Sequence, residues 1–131
     1  MHVNYLGVLA AAVASFVLGG LWYSPVLFAN AWVRESKVDV EAAKKGNKGL
    51  MFGGVFVIAL VESLVFAMFL GPHPGWKLGL GAGFAAGLCW VTAAFATSYI
   101  FERRSVTLFL INGGYFTIQF TLMGLLLGVV G

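Results

Sequence analysis

Charge is what this sequence has least of. Only 10% of its 131 residues are Asp, Glu, Lys or Arg, against about 25% in ordinary soluble domains. With 60% hydrophobic residues, a chain of this length has too little interior to hide its apolar surface from water. That excludes a soluble globular domain and leaves lipid as the solvent. A lone cysteine, Cys89, excludes a disulfide framework within one chain. Two histidines, His2 and His73, lie far apart in sequence with no third ligand, so no metal site is expected. No nucleophile with a base, phosphate loop or cofactor motif occurs, so neither an enzyme nor a bound cofactor is expected. The Gly79-x-Gly81-x-Gly83 run follows no strand and reads as helix packing. The net charge of +3 does not point to nucleic acid. The cations sit in short loops, where orientation and anionic lipid headgroups explain them.

What the sequence does hold is four apolar stretches, at about 3–23, 49–70, 78–101 and 106–130. Each is long enough to cross a hydrocarbon core of about 30 Å as a helix rising about 1.5 Å per residue. The expected fold is all-α: one integral membrane four-helix bundle over residues 1–131, with both termini outside. The first stretch is read as a retained span, because Arg34 and Lys37 follow it and no Lys or Arg precedes it, the reverse of a signal peptide's charge order.

The loops set the expected orientation. The 24–48 loop carries Arg34, Lys37, Lys44, Lys45 and Lys48, and the 102–105 loop carries Arg103 and Arg104. Of the 8 Lys and Arg residues only Lys77 lies elsewhere. The positive-inside rule places these two loops in the cytoplasm of a multi-pass cell-membrane protein. Trp22, Tyr23 and Trp32, then Tyr99 and Phe101, flank the cytoplasmic ends, and Trp76 the outer start of the third span, as interfacial aromatics do. Trp90 falls near the midplane instead.

After the first span, Ser24 is a candidate cap with Pro25 at the first helical position. A short helix over 26–34 is expected, either lying in the interface or packed across the bundle mouth. Asp39 can cap a turn running to Lys45. Gly71-Pro-His-Pro-Gly75 breaks the chain into an outer turn. The Glu102–Ser105 link makes spans three and four an antiparallel hairpin.

Small residues recur every fourth position: Gly7, Ala11, Ser15 and Gly19; Ala59, Ser63 and Ala67; Gly79, Gly83 and Gly87; and, less regularly, Gly113, Thr117, Thr121, Gly124 and Gly128. Such stripes lie on one face of a helix and let membrane helices approach closely. They serve bundle packing within the chain, or, for Gly79, Gly83 and Gly87, a seam between copies.

Glu62 is the only charged residue inside a span. An acid at that depth costs roughly 2.5–3.5 kcal/mol on insertion scales. With no intramembrane Lys or Arg to pair it, it must be protonated or face water. Gln119 lies nearly level with it, and Ser15 and Thr92 within a turn or two. Asn112, Tyr115 and Gln119 form a polar line along one side of span four, so Glu62 with these three is the expected buried cluster.

Two runs carry a resemblance. They are Gly20-Leu-Trp-Tyr-Ser-Pro-Val-Leu-Phe-Ala-Asn-Ala-Trp32 and Tyr99-Ile-Phe-Glu-Arg-Arg-Ser-Val-Thr-Leu-Phe-Leu-Ile-Asn-Gly-Gly-Tyr115, the latter followed by Met123-Gly124. They resemble the signature of a family of small, mainly bacterial membrane proteins known only as a domain of unknown function, number seventeen sixty-one of its series. The resemblance implies a helical membrane protein without assigned activity. It draws attention to Trp22, Tyr23, Ser24, Pro25 and Glu102, with Asn112 and Tyr115, as a knot at the cytoplasmic end, with Glu102 pairing Arg103 or Arg104 or capping span four. It also implies a His after the matching Tyr in many relatives, where this chain has Phe116. Two functions then compete. One is a non-enzymatic association protein, working as a homo-oligomer, with lipid, or as a subunit of a membrane complex. The other is a small homo-oligomeric channel or transporter using Glu62.

Overall fold

The computed structural model describes residues 3–37, 41 and 45–130. Among these the helices are α1 (Tyr5–Trp22), α2 (Ala29–Ser36), α3 (Lys48–Leu70), α4 (Trp76–Glu102) and α5 (Val106–Val130), and there is no strand. α1, α3, α4 and α5 are long and apolar enough to cross a membrane. The molecule is an all-helical membrane bundle with a short helix after the first span.

Local chemistry sets the helix ends. The Asn4 side chain accepts the Gly7 amide, and Asn47 that of Leu50; each satisfies one of the donors a helix start leaves free. The Ser105 hydroxyl accepts the Leu108 amide and so starts α5. The start of α5 is therefore capped by Ser105, not by Glu102. Lys37 and Arg103 take the left-handed conformation and end α2 and α4. The turn between α3 and α4 runs between Gly71 and Gly75, both at positive φ, where glycine carries no Cβ penalty.

The helix expected over 26–34 begins three residues later, at Ala29. The reason lies in Ser24. Its hydroxyl donates back to the Leu21 carbonyl instead of accepting a forward amide, so no cap forms there. Its carbonyl instead gathers the amides of Leu27 and Ala29 in a turn that holds Pro25. α2 then lies against the end of α5, with the Trp32 ring edge-on to Tyr23 and Arg104 donating to the Ser36 carbonyl. The turn expected from Asp39 falls on residues 38–40 and 42–44, outside the described residues.

α5 is the spine. α4 packs along one side of it and α1 along another, while α3 leans mainly on α1. Every small-residue stripe is used in these crossings. A Cβ on Gly79 would fall on the Gly124 carbonyl oxygen, one on Gly83 on that of Phe120, and one on Gly87 would stand 2.8 Å from that of Phe116. Gly79, Gly83 and Gly87 are therefore the intramolecular α4–α5 contact, and the face considered for a seam between copies is instead covered by α5 of the same chain. α1 and α3 are joined by the fully buried Ser63, whose hydroxyl donates to the Val8 carbonyl at 2.9 Å.

α4 carries a π-helical stretch, Ala86–Thr92. Gly79, Gly83 and Gly87 are four apart, but the next residue facing α5 is Thr92, five further on. A π turn, with its i→i+5 spacing, keeps Thr92 in phase with the glycines. Its hydroxyl reaches the Gly113 carbonyl and the Thr117 hydroxyl, each at 2.9 Å. Cys89 and Trp90 turn outward, Trp90 being 69% exposed on the lipid-facing surface.

The apolar core lies in the half of the bundle away from the basic loops. Val8, Ala11, Ala67, Met123 and Leu127 form it, with Leu64, Phe66 and Phe120 packed around them. Towards the basic end α3 stays with α1, where Phe16 meets Phe52 and Phe56 edge-on. α3 and α5 are thus in contact in one half and separated in the other.

Candidate functional site

That separation leaves a groove of about 200 Å³ between α1, α3 and α5, lined by Ser15, Phe16, Ile58, Glu62, Phe116, Gln119 and neighbours. Its position follows from the Ser63 bond. With residue 63 turned onto α1, residue 62 stands about 100° further round the helix and projects toward α5. There the Gln119 amide nitrogen donates to the Glu62 carboxyl at 3.1 Å. Glu62 is half-buried, while Gln119 is only 3% exposed. The other amide atom, Gln119 Oε1, is buried without a hydrogen-bond partner among the described residues. The ion pairs found among those residues are Arg34–Glu35 and Glu102–Arg104, both toward the basic end. Glu62 has no such counterion.

Depth organises what surrounds the pair. Below Glu62, away from the basic loops, lies the apolar core. Above it the groove rises past Ala59, Ile58 and Val55 on α3, and Phe116 and Tyr115 on α5. The site is sealed on one side and open along the other.

The expected four-residue cluster is only partly assembled. Gln119 does meet Glu62, but Tyr115 and Asn112 go elsewhere. Tyr115 is buried and donates to the Ser15 carbonyl at 3.1 Å. Asn112 accepts from the Tyr23 hydroxyl at 2.6 Å and donates to the Tyr99 hydroxyl at 2.7 Å. The correction has a simple cause. Asn112 and Gln119 are seven residues apart, about 10 Å along a helix, beyond the reach of one carboxyl. One polar line on α5 therefore serves three neighbours in turn: α3 at Gln119, α1 at Tyr115, and the α1 and α4 ends at Asn112.

The residues at the basic end form a structural knot. The Trp22 indole donates to the Ile111 carbonyl at 2.9 Å, and its ring packs on Phe28. Tyr23 packs edge-on to Tyr115 and bonds Asn112. Glu102 accepts from the Ser98 hydroxyl and from Arg104 at 3.3 Å. Ser24 and Pro25 shape the turn between α1 and α2. Of these side chains only Tyr115, on which Trp22 and Tyr23 pack, also lines the Glu62 groove.

Tyr99, which accepts from Asn112 in the knot, had as signals its interfacial depth and its place at the start of the second signature run. Phe16, which walls the groove, had none: an aromatic in an apolar span is indistinguishable by sequence from its lipid-facing neighbours. A second hollow, of about 270 Å³, lies at the opposite end among Asn4, Tyr5, Pro72, His73 and Pro74. His2 lies outside the described residues.

Chemically, the groove offers one carboxyl and aromatic walls, with an unsatisfied amide oxygen buried beside the carboxyl. That set can bind or exchange a proton and hold a small hydrogen-bond donor. It holds no nucleophile and base in contact. No curated protein and no solved structure matches the chain. The model of the family described as "Protein of unknown function (DUF1761)" matches residues 6–128, nearly the whole of the described bundle, and the chain therefore belongs to that family.

Proposed function

We propose that this protein is a non-enzymatic membrane carrier in which Glu62 alternates between a protonated state and a solute-bound state. The observation that supports this is the setting of Glu62: an intramembrane carboxyl, half-buried, bonded to a neutral amide and opening into a groove. Ionisable groups at that depth are costly and are kept where they bind or move something. A purely structural acid would be closed in by donors on every side. In this reading the basic loops face the cytoplasm, both termini lie outside, and the groove is reached from the cytoplasmic half. A second copy of the chain covers the groove's lipid side, because one arc of four helices does not enclose a path.

The test is proton flux in proteoliposomes supplied with a panel of small candidate solutes on the opposite side, read by a trapped pH dye after an imposed pH gradient. Wild-type protein is expected to dissipate the gradient faster than empty liposomes. Glu62→Gln is expected to fall to the empty-liposome rate while keeping the same assembly by native mass spectrometry. Equal rates for wild type and variant would remove the carrier reading. A stoichiometric foreign protein in the native spectrum, with no flux, would instead make this chain an accessory subunit.

A further inference from the structure

We infer that the solute of the groove is a small primary ammonium with an apolar body, an inference that rests on the carrier reading of Glu62. Three observations converge. Among the described residues Glu62 has no cation beside it, so its ionised form is an uncompensated charge at mid-membrane depth. One N–H of Gln119 goes to Glu62, and Oε1 is buried without a donor among the described residues, which is costly in a low-dielectric site. Both gaps are acceptors, and they belong to two side chains in direct contact. An ammonium has three donors, no acceptor and one positive charge, so one head group at Glu62 compensates the carboxylate and, on rotation of the buried Gln119 amide, satisfies its oxygen as well.

Competing ligands fit less well. Water or a neutral alcohol can satisfy the amide oxygen but leaves the carboxylate charge uncompensated. A divalent metal wants six or more oxygens, or at least several waters. The groove supplies Glu62 and Gln119, while the Tyr115 hydroxyl is already committed to Ser15. The walls point the same way. Phe16, Tyr115 and Phe116 line the groove with aromatic rings, a residue type that attracts cations, and Val55 and Ile58 offer apolar surface to its body. At about 200 Å³, the groove is smaller than a typical drug-sized pocket, which limits the solute to a small one.

The exchange balances. The protonated carboxyl releases its proton to water at the groove mouth, and the ammonium takes the vacated charge. One proton leaves for each cation that enters, and the charge of the site is unchanged. Tyr115 is the titratable group facing Glu62 from α5. α1 presents Ser15 and Phe16 there.

The experiment is calorimetric titration of the full chain in lipid nanodiscs with phenethylammonium and with its N-trimethylated counterpart. The two probes share a charge and a ring, but the second has no N–H. Wild-type protein is expected to bind the primary ammonium at least about tenfold more tightly, the worth of hydrogen bonds to the two acceptors. Glu62→Gln is expected to lose saturable binding of both. Gln119→Leu is expected to bring the two affinities within about twofold. Should that variant not fold, the wild-type comparison decides alone. Equal affinity of wild type for both probes overturns the inference, as does saturable binding that survives Glu62→Gln. Absence of binding alongside Glu62-dependent proton flux overturns the ligand class and leaves the carrier reading standing. Absence of both removes the two together.

Discussion

Gly83→Leu is expected to destabilise the bundle by about 3 kcal/mol or more, the upper end of what overpacking costs. The new side chain has nowhere to go. Its Cβ alone would fall on the Phe120 carbonyl oxygen, which belongs to backbone and cannot rotate away. α4 and α5 would have to separate, and the close approaches at Gly79–Gly124 and Gly87–Phe116 would open with them. In lipid no hydrophobic drive pulls the helices back, so lost dispersion and interhelical bonds are lost outright. Thermal unfolding in detergent, followed by circular dichroism, reads the change. Gly81→Leu is the internal control. Gly81 is exposed and a Cβ there meets nothing within 4 Å. It is expected to be neutral or stabilising, within about 1 kcal/mol, the span of helix propensity. Equal losses in the two variants would show that α4 and α5 do not cross on the Gly79–Gly83–Gly87 face.

Asn112→Leu is expected to cost about 2 kcal/mol. Asn112 joins α5 to α4 and to the end of α1, accepting from Tyr23 and donating to Tyr99. Leucine keeps much of the volume and removes both partners, leaving two half-buried hydroxyls to find others. Each orphaned group costs about 1–3 kcal/mol when fully buried and less where water reaches it. A double-mutant cycle with Tyr23→Phe separates the bond from the packing. Tyr23→Phe alone leaves an acceptor of Asn112 unfilled. The pair is expected to show a coupling of about 1 kcal/mol. A coupling near zero would mean that the 2.6 Å contact contributes shape and not energy. Because the knot meets the groove only through Tyr115, and not through Glu62 or Gln119, neither change is expected to alter which amine Glu62 prefers.

The spans, the 71–75 turn and the 102–105 hairpin were legible because bilayer thickness, hydropathy and helix-breaking residues act locally. The Glu62–Gln119 contact was legible for a related reason: depth along a span can be counted, and two polar groups at one level in lipid have few alternatives. Counting fails within a helix's own polar line. Asn112, Tyr115 and Gln119 share a face, yet each meets a different neighbour, because adjacent helices cross α5 at different heights. Ser24 misled for the opposite reason. A serine before proline is a good cap in isolation, but the hydroxyl found the Leu21 carbonyl at the end of its own helix first.

By itself, then, the sequence determined that this chain is a helical membrane protein with four small-residue faces and one isolated acid. Length, apolarity and spacing suffice for that. Tertiary structure alone decided which face meets which. Glycine stripes are interchangeable surfaces: each permits close approach, and none encodes its partner. Only the assembled bundle puts the α4 stripe against α5, inserts a π turn so that Thr92 stays in phase with Gly87, and uses Ser63 to rotate α3. The divergence of α3 from α5, which turns a lone carboxyl into the floor of a groove, is a consequence of those crossings and is written in no single segment.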